Sequence, residues 1–193
     1  MTANEIFWDT QYQEGNTKWD VGGVSTPLKE YFDQLTDKSL AILIPGAGNA
    51  YEAEYLDKLG FTNVTVVDIS PTVIQQFKER VTIFPENKIF NTDFFKLTGQ
   101  FDLIIEQTFF CAISPSLRLE YAEKVAGLLK PSGKLVGLMF DAPLNTNNPP
   151  YGGNRKEYRS YFKPFFDIQI METSYNSIST RIGKEVFVKI IKR

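Results

Sequence analysis

Apolar runs and helix-like segments alternate along most of this chain, and this alternation restricts the fold more than any other feature. The clearest candidates for buried strands are residues 40–44, 64–67, 103–105 and 135–140, and a weaker one lies within residues 88–95. Helix-like segments separate them, with Ser-Pro pairs at their starts or glycines at their ends. Strands that alternate with helices predict a mostly parallel, doubly wound α/β sheet with helices on both faces.

The two ends of the chain depart from this alternation. Residues 168–171 and 186–191 are strand-like and are joined by a polar loop without a helix, which predicts an antiparallel hairpin at one edge. Residues 1–38 are not strand-like: a loop at 15–23 separates two helix-like segments, and in the second of these Thr26 is the expected cap with Pro27 in the first turn. We therefore predict one domain, with a helical N-terminal cover over 1–38 and a Rossmann-like, seven-stranded core over 39–193.

Composition excludes several kinds of chemistry. The chain has one cysteine and no histidine. A disulfide within the chain, a histidine metal site, a Ser-His-Asp triad and a Cys-His pair are therefore impossible, and we expect no metal. The single cysteine, Cys111, lies between apolar residues, which predicts a buried and inert thiol.

Charge and hydropathy indicate which partners to expect. The formal net charge is −2 and there is no basic block, so we expect no nucleic-acid partner. No run of apolar residues is long enough for a membrane span, and the first residues do not resemble a secretory signal. We expect a cytoplasmic protein that acts on a small-molecule substrate. Oligomeric state is not defined by the sequence, although a monomer is favoured.

A glycine-rich turn, Gly46-Ala-Gly48, stands between the first predicted strand and the helix after it. Open α/β sheets bind ligands beyond the carboxyl ends of their strands, where glycine lets backbone approach a ligand closely. The third glycine of a dinucleotide fingerprint is missing, and so is the Lys-Ser/Thr pair of a phosphate-binding loop. The turn thus predicts a ligand without a pyrophosphate, with a plain tight turn as the alternative.

Two further strand ends carry groups that suit an adenosine. Asp68 ends the second predicted strand, 20 residues after Gly48, and is placed to accept hydrogen bonds from ribose hydroxyls. Asp93 can accept from an adenine amino group while Phe94 packs along the ring. Helix capping by Asp68, and a turn with core phenylalanines at 93–95, are the alternatives. An adenosine site without a diphosphate favours S-adenosylmethionine over NAD.

Several segments together resemble the thiopurine methyltransferase superfamily, and within it the branch of halide, thiocyanate and thiol methyltransferases. They are YQEGNTKWDVG, PGAGNAYEAEYL, VTVVDIS, TDFF, FDLIIEQTFFCAISPSLR, LLKPSGKLVGLMF and PPY. The resemblance extends from about Trp8 to Lys189. It implies a class I methyltransferase fold that uses S-adenosylmethionine and releases S-adenosylhomocysteine.

The resemblance also implies roles for individual residues. N-terminal aromatic residues would lie over the methionine end of the cofactor, the glycine turn near its amino-acid part, and the acids near its ribose and adenine. Tyr12 stands where plant members have a second tryptophan, and Glu106 and Gln107 replace an Asp-aromatic or Asp-Arg pair. The implied cofactor-binding residues are Trp8, Tyr12, Trp19, Gly46, Gly48, Asp68, Asp93, Phe94 and Gln107.

The expected reaction is an in-line methyl transfer to a small nucleophile: a thiol or hydrosulfide, thiocyanate or a halide. An anionic acceptor needs no general base, which agrees with the absence of histidine. An indole face attracts a cation, so Trp8 or Trp19 is a candidate for holding the sulfonium, with core packing as the alternative.

Phe109, Phe110 and Tyr151 are the candidates for the acceptor pocket, and ordinary packing is their alternative role. Glu106 and Asp141 lie near strand ends, where they would orient water or the cofactor's ammonium, or serve as capping or solvated groups. Three other functions stay open: a metalloid or aromatic-thiol methyltransferase, a module that binds the cofactor without turnover, and an NAD-dependent enzyme, which the missing third glycine disfavours.

Overall fold

The computed structural model describes residues 1–193, and seven strands form its single sheet. The strands are β1 (Ile42–Pro45), β2 (Val64–Asp68), β3 (Ile89–Asn91), β4 (Phe101–Gln107), β5 (Leu129–Phe140), β6 (Phe166–Thr173) and β7 (Glu185–Lys192). Their order in the sheet is β3-β2-β1-β4-β5-β7-β6. The predicted seven-stranded, mostly parallel sheet with a C-terminal antiparallel hairpin is confirmed.

Seven α-helices connect or flank these strands. They are α1 (Ala3–Gln13), α2 (Thr26–Asp33), α3 (Tyr51–Lys58), α4 (Pro71–Arg80), α5 (Phe109–Ala112), α6 (Arg118–Leu128) and α7 (Arg155–Phe162). Short 3-10 turns cover Glu86–Lys88, Phe94–Lys96 and Pro115–Leu117. None of the helices combines the length and the apolar character that crossing a bilayer requires.

The chain divides into two compact units, Met1–Leu97 and Thr98–Arg193. In the first unit, β1, β2 and β3 are parallel neighbours, and every residue of β1 and β2 is buried. Continuous β-branched and aliphatic runs are typical of parallel strands that are covered on both faces. The single-domain organisation expected from the sequence stays a prediction.

The helices of the first unit begin largely where the sequence predicts. Thr2 and Glu5 form a reciprocal capping box at the start of α1. Ser70 caps α4, since its hydroxyl accepts from the Val73 N–H, and Pro71 follows as the first helical residue. The cap of α2 was expected at Thr26, but Thr26 is already helical and Ser25 is the N-cap residue.

In the second unit, β4 and β5 are parallel, β7 pairs antiparallel with β5, and β6 pairs antiparallel with β7. Gly137 of β5 lies opposite Glu106 of β4. A side chain at Gly137 would collide with the Glu106 backbone, so only glycine permits this pairing.

Two helices of this unit were not predicted. The four-residue α5 follows β4 directly, and α7 follows the loop at 143–154. Asn154 caps α7 by accepting from the Glu157 N–H, and Tyr158 and Phe162 are buried one helical turn apart. The expected long loop is therefore present but ends at this helix.

Candidate functional site

The turn between β1 and α3 has an unusual backbone. Gly46, Gly48 and Ala50 all have positive φ angles, of 54°, 52° and 53°. The Ala47 N–H donates to the Val67 carbonyl oxygen at 3.1 Å, which holds the turn at the carboxyl end of β2. Glycine adopts a left-handed backbone conformation at little cost, which explains the two glycines at this point.

Asp68, the last residue of β2, holds this turn in place through hydrogen bonds. Its side chain is buried, and its two oxygens accept from the N–H groups of Gly48 and Ser70, each at 2.9 Å. Burial raises the pKa of Asp68, whereas hydrogen bonds from Ser70, Gly48 and Ile69 lower it in part. A carboxylate has about four acceptor positions, so three backbone donors leave room for a further hydroxyl donor.

Tyr12 of α1 lies directly against the turn. A Cβ atom built on Gly48 would be 2.6 Å from the Tyr12 hydroxyl oxygen, so a side chain at position 48 would displace the tyrosine. Burial, together with the charge of Asp68, raises the pKa of Tyr12. The phenol therefore stays neutral at physiological pH.

Trp8, Tyr12 and Trp19, which we call the aromatic cover, pack edge-on against one another. The Trp8 and Trp19 ring centroids are 5.4 Å apart, and those of Tyr12 and Trp19 are 5.8 Å apart. The Trp19 indole N–H donates to the Tyr12 hydroxyl at 3.3 Å. All three residues were predicted at the site; the structure brings their rings together and places Tyr12 beside Gly48.

Asp20 attaches the loop after Trp19 to the same turn, and the sequence analysis did not single it out. One carboxylate oxygen accepts from the Asn49 side-chain amide at 2.6 Å, and the other accepts from the Gly22 N–H at 2.7 Å. The Asp-x-Gly spacing of this loop was the available signal, since an aspartate commonly accepts from the N–H two residues on.

Asp93 and Phe94 lie beyond β3, near the end of β2. The Asp93 carboxylate caps the short turn after it by accepting from the Phe95 N–H at 2.9 Å, and Phe94 is buried. The Thr92 N–H donates to the Asp68 carbonyl oxygen at 3.0 Å, which fixes this segment beside β2. These contacts match the alternative given for this segment, a turn with core phenylalanines. A contact of Asp93 and Phe94 with adenine stays a prediction.

The remaining predicted site residues belong to the second unit. Gln107 is the last residue of β4, and Phe109 is half-buried in α5 with its ring centroid 6.0 Å from that of Tyr121. Phe110 is completely buried and packs edge-on against Tyr121 and Tyr158 at 5.2 Å. Phe110 therefore packs in the core, which was the alternative role for these rings.

Glu106 is buried beneath α5 and acts as its cap. One carboxylate oxygen accepts from the Tyr121 hydroxyl at 2.5 Å and the other from the Phe110 N–H at 2.9 Å. Burial raises the pKa of Glu106 to about 7. Asp141 instead pairs with Arg155 at 2.8 Å, close to the surface.

Arg118, at the start of α6, supports the loop that carries Tyr151. Its side chain is 1% exposed, donates to the Gly152 carbonyl oxygen at 2.9 Å and pairs with Glu157 at 2.8 Å. The Arg118 Nε has no hydrogen-bond partner, and the guanidinium lies 5.0 Å from the Phe110 ring centroid. Sequence analysis missed this residue because its partners lie more than 30 positions away.

Cys111 lies in the same buried layer. Its sulfur accepts from the Phe140 N–H at 3.4 Å, while its carbonyl oxygen accepts from the Tyr151 N–H at 2.7 Å. Burial raises the pKa of the thiol to about 12. A neutral, enclosed thiol is a poor nucleophile, in agreement with the inert role expected for it.

Comparison with known proteins gives a consistent result. Residues 3–190 match the family described as thiopurine S-methyltransferase. Thiocyanate methyltransferase 1 of Brassica oleracea is 32% identical over 192 residues, which cover 95% of this chain and 84% of that protein. A probable thiol methyltransferase 2 of Arabidopsis thaliana is 30% identical over 185 residues, 92% of this chain and 81% of the relative.

Solved structures of low sequence identity share the fold. The magnesium protoporphyrin IX methyltransferase of Synechocystis, solved with bound S-adenosylmethionine, superposes with a TM-score of 0.74 at 12% identity and covers 100% of this chain and 99% of its own. The 1,6-didemethyltoxoflavin N1-methyltransferase of Burkholderia thailandensis, solved with S-adenosylhomocysteine, has a TM-score of 0.75 at 16% identity, covering 97% of this chain and 86% of its own.

Proposed function

The chain belongs to the thiopurine S-methyltransferase family and is an S-adenosylmethionine-dependent methyltransferase, and on this premise we propose that its acceptor is a small thiol, hydrosulfide, thiocyanate or halide. Relatives at 30% identity or more carry thiol or thiocyanate in their names. The observation that carries the proposal is the lack of a general base: the chain has no histidine, Tyr12 is held neutral, and Asp68 is engaged by backbone donors. An acceptor that is already an anion needs no base.

The first unit has features that fit the cofactor. Gly46 and Gly48 are half-buried and carry no side chain, and the Asp68 carboxylate retains acceptor capacity beyond its three N–H donors. We propose that Gly46 and Gly48 approach the amino-acid part, that Asp68 accepts from the ribose, and that Asp93 and Phe94 contact the adenine. Bound there, S-adenosylmethionine supplies a methyl group activated by a sulfonium.

The aromatic cover would serve this cofactor in two ways. Indole faces attract a cation by roughly 0.5–2 kcal/mol, so Trp8 and Trp19 suit the sulfonium end. The packed rings would also keep water from the reacting atoms, which strengthens the attraction between an anion and a cation. Tyr12 belongs to the same layer.

We propose that residues of the second unit bind the acceptor. Phe109 and Tyr151 are half-buried and so retain surface for a ligand, whereas Phe110 contributes packing. We propose that Gln107 contacts the cofactor. Methyl transfer requires the acceptor atom to lie about 3 Å from the methyl group and in line with the bond that breaks. A cytoplasmic location and a monomeric state stay predictions.

The test has two stages. Calorimetry with S-adenosylhomocysteine first measures cofactor binding, for which we expect micromolar affinity. Formation of S-adenosylhomocysteine from S-adenosylmethionine is then followed with hydrosulfide, thiocyanate and iodide. Turnover with any of these supports the proposal. Binding without turnover, or turnover restricted to tellurite, selenite or an aromatic thiol, overturns it.

A further inference from the structure

One buried acid on the cover helix has no part in the reaction described so far. Asp9 of α1 is only 5% exposed, although its neighbours Ile6 and Phe7 are 50% and 37% exposed. Removing a carboxylate from water is costly unless it is fully hydrogen-bonded. The partners of Asp9 therefore indicate why this helix turns an acid inward and apolar side chains outward.

Those partners lie at the beginning of α4. One Asp9 oxygen accepts from the Ser70 hydroxyl at 2.7 Å and from the Thr72 N–H at 2.9 Å, and the other accepts from the Gln13 amide at 2.7 Å. An anion at a helix N-terminus is stabilised by the helix dipole. Burial alone would raise the pKa of Asp9, but the hydrogen bonds from Ser70 and Thr72 hold it below its usual range.

Hydrogen bonds and close contacts link α1, α4 and the glycine turn to one another. The Ser70 N–H donates to Asp68, whose other oxygen accepts from the Gly48 N–H. Gly48 faces the hydroxyl of Tyr12, and Tyr12 lies on the same helix as Asp9, three residues later. Positions three apart on a helix are close neighbours, so Asp9 and Tyr12 fasten one side of α1 to α4 and to the glycine turn.

We propose that Asp9 is a positioning residue that holds α1 in the orientation in which the aromatic cover lies on the glycine turn, and that it thereby raises the affinity for the cofactor. The inference rests on the proposed cofactor site. Asp9 acts through Ser70 and Thr72 on one side and through the helix on the other, and it touches neither methyl donor nor acceptor.

The chain offers a selective probe. Its only two tryptophans, Trp8 and Trp19, both belong to the aromatic cover, so their fluorescence reports the cover alone. S-adenosylhomocysteine is titrated into the wild-type protein, Asp9→Ala, Asp9→Asn and Asp37→Ala, and affinity is measured by calorimetry beside the tryptophan signal. Asp37 is the matched control, since it too accepts from a serine hydroxyl and an N–H, at 2.6 and 2.9 Å, but on an exposed loop.

We expect Asp9→Ala to bind about ten-fold more weakly and to change its tryptophan emission before ligand is added, with Asp9→Asn intermediate and Asp37→Ala unchanged. Affinity is measured well below each melting temperature, so a residue that only adds stability would not change it. Equal affinity and equal emission in wild type, Asp9→Asn and Asp9→Ala overturn the inference. Should Asp9→Ala not fold, an affinity of Asp9→Asn equal to wild type overturns it. Absence of binding to the wild-type protein contradicts the proposed function instead.

Discussion

The backbone N–H donors to Asp68 include Gly48 of the glycine turn and Ser70, the N-cap residue of α4. Replacing Asp68 with alanine removes both acceptor oxygens and the proposed ribose contact. We expect Asp68→Ala to weaken S-adenosylhomocysteine binding by about 1–3 kcal/mol, because buried donors lose their partner. Calorimetry measures the change, and Asp37→Ala serves as the control. An unchanged affinity would place the ribose elsewhere.

Glu106 predicts a pH dependence of stability. Its carboxyl has a pKa of about 7 in the folded protein, against an ordinary value of 4.5, because it is buried. Between these values the folded protein holds a proton that the unfolded chain has released, so the contribution of Glu106 to stability falls as pH rises. The full change corresponds to about 3 kcal/mol.

Glu106→Gln removes this titration while keeping the shape of the side chain. As pH rises from 5 to 8, the wild-type protein should therefore lose unfolding free energy relative to the variant. Urea denaturation of both proteins measures this difference. Glu120→Gln makes the same chemical change at an exposed position of α6 and serves as the control. A constant difference for Glu106→Gln would show that the carboxyl titrates near its ordinary value.

At the scale of elements, Arg118 joins α6 to the loop before α7. It donates a hydrogen bond to the Gly152 carbonyl oxygen and forms an ion pair with Glu157, and its guanidinium lies 5.0 Å and 5.6 Å from the ring centroids of Phe110 and Tyr158. Its removal should therefore loosen the loop that carries Tyr151.

Arg118→Met keeps the apolar stem but removes the donors. We expect a loss of about 1–3 kcal/mol in unfolding free energy, because a buried carbonyl loses its partner. The KM for the acceptor should rise while S-adenosylhomocysteine affinity stays unchanged. Arg155→Met is the control: it breaks an ion pair with Asp141 whose arginine is 44% exposed, and exposed pairs contribute about 0–1 kcal/mol. Equal losses in the two variants would argue against a special role for Arg118.

The strands and most helices were predictable because their signals are local. β2 is a continuous β-branched run that ends at an acid, and α4 begins with a serine cap followed by proline. α7 was missed although Asn154 and the Tyr158–Phe162 spacing were available, since the loop before it is rich in proline, asparagine and glycine. The four residues of α5 are too few for any periodicity to appear.

The site was predictable only in part, for a similar reason. Gly46, Gly48 and Asp68 follow from strand ends, and the aromatic cover follows from the family resemblance. Asp9 was not foreseen, because an acid beside Ile6, Phe7 and Trp8 suggests an exposed face, whereas the structure buries it against Ser70, 61 residues away. Long-range polar contacts of this kind leave no pattern in a sequence.

At the scale of the whole molecule, the predicted single-domain organisation can be tested with two probes that the chain itself provides. The two tryptophans lie within Met1–Leu97, and the single cysteine, Cys111, lies within Thr98–Arg193. Tryptophan emission therefore follows unfolding of the first unit. Reaction of Cys111 with a thiol reagent follows the second, since the thiol is buried and its pKa is raised to about 12 in the folded state.

The single-domain organisation predicted from the sequence implies one cooperative unfolding transition. We therefore expect the two probes to give the same midpoint in urea. S-adenosylhomocysteine at 100 times its Kd should raise both midpoints together, by an amount equivalent to about 2.7 kcal/mol. Asp68→Ala, examined at the same ligand concentration, should show a smaller shift in both. Two separate midpoints, or a ligand shift seen by tryptophan alone, would mean that the chain unfolds as two domains and that the cofactor stabilises only the first.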